Sequence, residues 1–267
     1  MACGRQEIPA ERVGVSRAPL LRALLAVGLA ATAPCAGQPV RVQRDIEFTS
    51  GLKADLYLPG DPRGAPAVVL LHGGGFSKGD RSQMDRTAQA LAERGILAAT
   101  IDYGLSEGSW FPATSLEDQG LRAAAARARD DALRAVAWLR SRSAGLGFDG
   151  RRIVVAGYSA GGIAALEAAT HGDAVAGGFA IAGAAADLDA IDAGDPPLVA
   201  AHGATDRMVP LALARATCER AERVGVPCEL LVFPGVGHDV VGIERKRLLE
   251  SLVAFTRRVP PRGPEGS

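Results

Sequence analysis

Residues 153–170, IVVAGYSAGGIAALEAAT, hold the junction on which the prediction of the fold depends. Residues 153–156 form a short apolar run, as expected of a strand that is covered on both faces, and the alanine-rich run from residue 162 has the composition of a helix. Only GYSAG, residues 157–161, separates the two runs. So short a connection places Ser159 in a tight turn, where Gly157 and Gly161 remove side chains that would otherwise collide.

The same alternation extends along the chain in both directions. Further short apolar runs lie at residues 67–71, 96–101, 178–182, 198–201 and 229–233. Helical patterns lie between them at residues 84–94, 116–142, 162–170, 211–224 and 245–258. Strands that alternate with helices predict an α/β fold with a mainly parallel sheet and helices on both faces. Ahead of it, residues 40–48 and 54–58 flank a Ser50-Gly51 turn, which predicts an antiparallel hairpin at the sheet edge.

The bulk composition fits one domain of this class. With 267 residues, of which 48% are hydrophobic, the chain can bury one sizeable core, and we expect residues 38–267 to form a single domain. Basic and acidic residues number 30 each, so the net charge gives no reason to expect nucleic acid or an anionic membrane as a partner. The oligomeric state is not indicated.

The N-terminal segment differs from the rest. Arg17 and Arg22 precede an apolar run at residues 23–33, which small residues follow. This order is typical of a secretory signal, and the run is shorter than the roughly 20 apolar residues that span a bilayer. We therefore interpret residues 1–37 as a signal peptide with a polar leader and expect a periplasmic or secreted protein without a stable membrane span. Lipidation of Cys35 is the less favoured alternative, because Pro34 precedes it.

Two cysteines remain in the predicted mature chain, Cys218 and Cys228. In an oxidising compartment they are a candidate disulfide, and the alternative is two buried thiols that never meet. They lack the C-x-x-C spacing and the histidine cluster of a metal site, so we expect no metal and no cofactor. A weak calcium site in the acidic loop at residues 187–195 is the alternative.

The pattern G-x-S-x-G occurs twice, around Ser106 and around Ser159. Chance alone should produce roughly 0.2 matches in such a chain, so the pattern by itself proves little. Ser159 has a strand before it and, after it, a helix whose N-terminus directs free N–H groups and a positive dipole end at the serine oxygen. Ser106 follows a strand but precedes a loop. We therefore predict Ser159 as the nucleophile and Ser106 as a chance match.

Three further elements follow buried strands. His72 opens a run of three glycines, and such a run can turn backbone N–H groups outward, as an oxyanion requires. An ordinary glycine-rich turn is the alternative, and no G-K-[ST] follows that would indicate a phosphate site. Asp206 and His238 lie in the loops after residues 198–201 and 229–233. Ligands of such sheets bind at the carboxyl ends of the strands, where these loops meet. Asp239 is disfavoured as the acid, since adjacent side chains diverge, and His202 is interpreted as structural.

With H-G-G-G at residues 72–75, G-x-S-A-G-G at residues 157–162 and the chain order Ser, Asp, His, the sequence resembles the α/β-hydrolase esterases. It is similar to the hormone-sensitive-lipase-like and feruloyl-esterase-like bacterial carboxylesterases from about residue 40 to residue 258. The resemblance implies that Ser159 is the nucleophile, that His238 is the general base and then acid, and that Asp206 orients the imidazole. It also implies oxyanion N–H groups, which come from Gly74, Gly75 and Ala160.

The expected reaction is hydrolysis of a small-molecule carboxylic ester through an acyl-enzyme, with short-chain or carbohydrate-linked esters as substrates. Two alternatives stay open, a peptidase or amidase on the same fold and a catalytically inactive secreted binding protein. Residues 183–196, where relatives carry a cap domain, are few, so the cap is expected to be minimal. The sequence departs from many relatives at Gly104, where they have arginine, and in the extra helical segment at residues 120–129.

Overall fold

In the computed structural model, residues 39–108, 110–113 and 115–263 are described, and within them the chain forms an eight-stranded sheet. The strands are β1 (Arg41–Thr49), β2 (Leu52–Leu58), β3 (Ala67–Leu71), β4 (Leu97–Ile101), β5 (Ile153–Tyr158), β6 (Gly177–Ile181), β7 (Leu198–Gly203) and β8 (Cys228–Phe233). Their order in space is β1-β2-β4-β3-β5-β6-β7-β8. The predicted signal segment and Cys35 lie outside the described residues.

The sheet is antiparallel only at one edge. β1 pairs with β2, and β2 with β4, in antiparallel register, whereas β4, β3, β5, β6, β7 and β8 are parallel neighbours. The central strands are buried along nearly their whole length, because helices cover them on both faces. The predicted mainly parallel sheet with a leading hairpin is confirmed.

Six helices are described: α1 (Asp85–Ala92), α2 (Gln119–Arg140), α3 (Ser143–Leu146), α4 (Ala160–His171), α5 (Leu211–Arg223) and α6 (Val240–Arg258). Residues of α2, α4 and α5 belong to one apolar cluster, and residues of α1 and α6 belong to the other. A short 3-10 turn, Arg81–Met84, precedes α1. None of the helices in the described part of the chain is both long and apolar enough to cross a membrane.

Two helix starts differ from the sequence prediction by three residues or more. α2 begins at Gln119 rather than at residue 116, because the side chain of Asp118 accepts a hydrogen bond from the N–H of Leu121 at 2.9 Å and caps the helix. The extra segment at residues 120–129 is the continuous N-terminal half of α2. α6 begins at Val240 rather than at residue 245, with Asp239 as its cap. A kink at Glu244 interrupts the helical pattern, which explains the late predicted start.

The two cysteines of the predicted mature chain are joined. The sulfur atoms of Cys218 in α5 and Cys228 at the start of β8 form a disulfide. This bond lies at the end of β8 away from His238, which follows the other end of the same strand. It therefore fixes α5 to the sheet without entering the loops at the carboxyl ends of the strands.

Candidate active site

Ser159 lies in a strained turn between β5 and α4. Its φ of 55° and ψ of −120° fall in a region that residues with a Cβ atom rarely adopt. Two hydrogen bonds hold it there: its N–H donates to the carbonyl of Ile181 at 2.8 Å, and its carbonyl accepts from the N–H of Ile163 at 3.0 Å. The neighbouring strand and the first turn of α4 thus fix the backbone of this serine.

The two glycines of the motif are required by close backbone contacts. A Cβ atom on Gly157 would lie 2.9 Å from the amide nitrogen of Gly162 and closer still to the carbonyl of Gly161. A Cβ atom on Gly161 would lie 2.7 Å from the carbonyl carbon of Leu71 at the end of β3. Both positions therefore exclude side chains, as the short connection predicts.

The structure brings Ser159, His238 and Asp206 together. Nε2 of His238 lies 2.9 Å from Oγ of Ser159, and Nδ1 lies 2.8 Å from Oδ2 of Asp206. The side chain of Asp206 is fully buried, whereas that of His238 is 21% exposed. With the proton on Nδ1 donated to the carboxylate, Nε2 is free to accept the serine proton. The geometry is that of a nucleophile, a base and an orienting acid.

Three hydrogen-bond donors and a second imidazole surround the carboxylate of Asp206. Oδ1 accepts from the N–H groups of Met208 at 2.8 Å and Val209 at 3.0 Å, and Oδ2 faces His238 and, at 3.4 Å, Nε2 of His202. Burial alone would raise the pKa of Asp206, but the two adjacent histidines and the hydrogen bond from Val209 outweigh it and hold this pKa well below its usual range. The carboxylate is therefore ionised although it is buried.

His202 is a second imidazole on the same acid. Its Nε2 lies 2.7 Å from the carbonyl oxygen of Val209, so Nε2 carries the proton and donates it there. The side chain is fully buried, and its Nδ1 has no hydrogen-bond partner among the described residues. His202 thus closes the turn at residues 206–209 that presents Asp206. The sequence interpretation of His202 as structural did not include this contact with the acid.

Tyr158, the residue before the nucleophile, contacts the loop of the base. Its hydroxyl donates to the carbonyl oxygen of His238 at 3.1 Å, and the two rings lie 5.4 Å apart. Burial raises the pKa of Tyr158 to about 12, so the hydroxyl stays protonated at neutral pH. Sequence reasoning missed this role, because the motif leaves the position unspecified and the partner is 80 residues away.

The glycine loop after β3 presents unpaired N–H groups. Gly74 and Gly75 have positive φ values of 123° and 64°, and the carbonyl of Gly74 accepts from the N–H groups of Ser77 and Lys78 at 3.2 Å each. Among the residues whose placement is described, the N–H groups of Gly74, Gly75 and Ala160 donate to no protein acceptor. These three groups are the predicted oxyanion donors, and they are free to bind an anionic oxygen.

His72, the residue before the three glycines, stabilises the glycine loop. The imidazole is buried and stacks on the ring of Tyr103 at 4.2 Å, and its Nδ1 lies 2.7 Å from the carbonyl oxygen of Gly73. The Tyr103 hydroxyl donates to the carbonyl of His72 at 2.9 Å. Burial lowers the pKa of His72, which favours the neutral ring. These contacts brace the glycine loop.

Ser106 lies apart from this arrangement, in the loop between β4 and α2. Its Oγ accepts from Nε and Nη2 of Arg127 at 3.2 and 2.7 Å, and its N–H donates to the carbonyl of Phe76 at 2.8 Å. Neither partner is a base that could remove a proton from its hydroxyl. The structure therefore gives Ser106 no nucleophile geometry.

Other acids take structural roles. Oδ1 of Asp239 accepts from the N–H of Gly242 at 2.9 Å and caps α6. In the acidic loop, Asp187 and Asp195 accept from the backbone N–H groups of Asp189 and Asp192. Over the described ranges, no group of three or more His, Cys, Asp or Glu side chains could hold a metal ion.

Comparisons with known proteins identify similar chains. The model of BD-FAE, an α/β-hydrolase family, matches residues 54–179. Carboxylesterase NlhH of Mycobacterium tuberculosis is 37% identical over 98 residues, 36% of this chain and 26% of that protein. The ethyl acetate hydrolase of Pseudomonas putida is 35% identical over 115 residues, 42% of this chain and 32% of that protein. The chain thus spans about a quarter to a third of the length of these curated relatives.

A solved structure is similar over most of the described fold. The butyrate-bound esterase Est2 of Thermogutta terrifontis superimposes with a TM-score of 0.65 at 23% identity, and the match covers 86% of this chain and 97% of that one. At this level of identity the likeness concerns the fold alone.

Proposed function

We propose that this chain, an α/β-hydrolase, cleaves carboxylic esters of small molecules, with Ser159 as nucleophile, His238 as general base and acid, and Asp206 as the acid that orients the imidazole. The observation that carries the proposal is the chain of hydrogen bonds from Oγ of Ser159 through the imidazole of His238 to the buried carboxylate of Asp206. A strained turn and a helix N-terminus present this serine next to free N–H groups, as nucleophilic catalysis requires.

The reaction proceeds in two halves. Oγ of Ser159 attacks the ester carbonyl carbon while Nε2 of His238 takes its proton, and the oxyanion binds to the N–H groups of Gly74, Gly75 and Ala160. When this intermediate collapses, His238 gives the proton to the departing alcohol and an acyl-enzyme remains. Water then attacks the acyl carbon while Nε2 of His238 takes its proton, and this proton returns to Oγ of Ser159 as the carboxylic acid departs. Removal of one oxyanion donor costs on the order of 3 kcal/mol of transition-state stabilisation.

Substitution of the two motif serines tests the assignment. Ser159→Ala should abolish p-nitrophenyl acetate hydrolysis above the uncatalysed rate, whereas Ser106→Ala, the matched change at the other motif, should retain activity. A fluorophosphonate probe should label the wild-type chain and Ser106→Ala, but not Ser159→Ala. If Ser159→Ala kept the wild-type rate while Ser106→Ala lost it, the nucleophile would be misassigned. A wild-type chain that was neither active nor labelled would refute the hydrolase and favour the alternative of a catalytically inactive binding protein.

The substrates proposed are short-chain or carbohydrate-linked esters. Two similar proteins support the short acyl group, since one is named an ethyl acetate hydrolase and the other was solved with butyrate bound. The short segment between β6 and β7 supports it too, since it leaves no room for a separate cap domain. Turnover of an acyl-length series and of acetylated sugars, compared with matched amides, would rank these substrates and separate an esterase from an amidase.

We propose that the mature protein lies in the periplasm or outside the cell and lacks the first 37 residues. The disulfide between Cys218 and Cys228 supports this location, because such bonds persist in oxidising compartments. Expression of the full sequence in a bacterial host, followed by fractionation and N-terminal mass analysis, tests the proposal. A full-length chain that stays in the cytoplasm with reduced thiols would refute it.

A further inference from the structure

A short strap, residues 110–113, bridges two loops of the candidate site. At one end, the ring of Phe111 packs on Gly75: a Cβ atom on that glycine would lie 3.3 Å from Cδ2 of Phe111. The ring also lies 6.5 Å from the ring of Phe76. At the other end, the N–H of Ala113 donates to the carbonyl of Met208 at 2.8 Å, in the turn that presents Asp206.

The sheet order places this strap beside the nucleophile. Gly75 follows β3 and Met208 follows β7, and β5 and β6 lie between those strands. Neighbouring strands are about 4.8 Å apart, so β3 and β7 are separated by about 14 Å, whereas a step of two residues spans only about 7 Å. The side chain of Phe111 and the hydrogen bond of Ala113 extend this reach, so the strap crosses from the loop after β3 to the loop after β7, past the carboxyl ends of β5 and β6.

Trp110 anchors the strap to α2. A Cβ atom on Gly120 would lie 2.8 Å from Nε1 of the indole, and one on Gly108 would lie 2.8 Å from Cη2. The indole thus fits between two residues that lack side chains, one of them in the first turn of the extra helical segment at residues 120–129. This gives that segment a role, because it holds the strap in place.

We propose that the ring of Phe111 limits the length of the acyl chain that the site accepts. The proposal rests on the proposed ester hydrolysis. The departing alcohol oxygen must lie next to Nε2 of His238 to receive a proton, and the carbonyl oxygen must face the N–H groups of the glycine loop. Since the alcohol part is held at His238 and Phe111 packs on the glycine loop beside Gly75, the proposal assigns the acyl part of the ester to the ring of Phe111.

An acyl-length series tests the proposal. For the wild-type chain and Phe111→Ala, kcat/KM is measured with p-nitrophenyl acetate, butyrate and octanoate, with active sites counted by fluorophosphonate labelling. Phe111→Ala should raise the ratio of octanoate to acetate kcat/KM at least about tenfold, since a hydrophobic pocket discriminates by about 10-fold or more per misfitted group. The ratio of butyl acetate to methyl acetate kcat/KM, which varies the alcohol, should stay within about twofold.

The control is Phe48→Ala, the same change on edge strand β1, which three strands separate from β5 and where the ring packs on Trp138 at 6.1 Å. It should leave both ratios unchanged. Equal effects of Phe111→Ala on all acyl lengths, or an effect confined to the alcohol series, would overturn the proposal. If Phe111→Ala did not fold, Phe111→Leu would decide by the same ratios. A wild-type chain that hydrolyses no ester would refute the proposed function itself.

Discussion

The hydroxyl of Tyr158 donates a hydrogen bond to the main-chain oxygen of His238 at 3.1 Å. The residue that precedes the nucleophile thereby holds the loop that carries the base. Tyr158 ends β5, and His238 follows β8. The bond therefore joins the segment that carries Ser159 to the loop that carries His238, in addition to the contact between Oγ and Nε2.

Tyr158→Phe should lower kcat with little change in KM. The ring remains, and the lost hydrogen bond, worth about 1 kcal/mol, corresponds to a decrease of about fivefold if it serves only to position the imidazole. Steady-state kinetics with p-nitrophenyl acetate measure it. Tyr57→Phe is the control, because Tyr57 is a buried tyrosine in β2, which two strands separate from β5. A Tyr158→Phe variant with wild-type kcat would show that the loop holds its position without this bond.

His202→Phe should lower both kcat and the free energy of unfolding. The substitution keeps an aromatic ring in a fully buried position but leaves the carbonyl of Val209 without its donor and removes one partner of Asp206. A buried acceptor left unpaired costs about 1–3 kcal/mol, which urea unfolding can measure. His171→Phe is the matched control for kcat, because His171 lies at the exposed C-terminal end of α4 and its ring hydrogen-bonds to Glu167 and Thr170 of the same helix. Equal effects of the two substitutions would refute a specific role for His202.

The stability contributed by Asp206 should depend on pH. Its folded pKa lies below that of an unfolded aspartate, about 3.9, so ionised Asp206 stabilises the fold fully above that value and progressively less as the pH falls below it. The difference in the free energy of unfolding between the wild-type chain and Asp206→Asn should therefore be constant from about pH 6 to pH 8 and shrink below about pH 4. Urea titrations at several pH values measure it. A difference that grew on acidification would contradict the low pKa.

Removal of the disulfide should lower stability but not activity at 25 °C. On the chain-entropy account, a loop of about ten residues contributes about 3 kcal/mol, which corresponds to a decrease in Tm of about 6–12 °C for a domain of this size. Calorimetry of the Cys218→Ser/Cys228→Ser variant measures the decrease. The wild-type chain in excess reductant should melt at the same temperature as the variant, and an unchanged Tm in both samples would mean that the bond does not constrain the unfolded chain.

The sequence predicted the parts of the site that local patterns specify. Ser159 could be predicted because the short segment GYSAG joins an apolar run to an alanine-rich run, and Asp206 and His238 because parallel strands bring their following loops to one edge. Contacts between residues that are far apart in the sequence leave no local pattern, so they could not be predicted in this way. The bond between Tyr158 and His238 joins residues 80 positions apart, and the strap at Phe111 is irregular chain whose position depends on Gly75 and Met208.

At position 159, stability and the proposed reaction favour different residues, because the backbone there is strained for any residue except glycine. A non-glycine residue in such a conformation costs about 1–3 kcal/mol, so a glycine at position 159 would suit the turn better than the serine does. Selection for stability alone would therefore favour replacement of Ser159 by glycine. A variant whose melting temperature was raised by this substitution would lack the nucleophile and would be inactive. Thermostability screens of this chain should accordingly be paired with an activity assay.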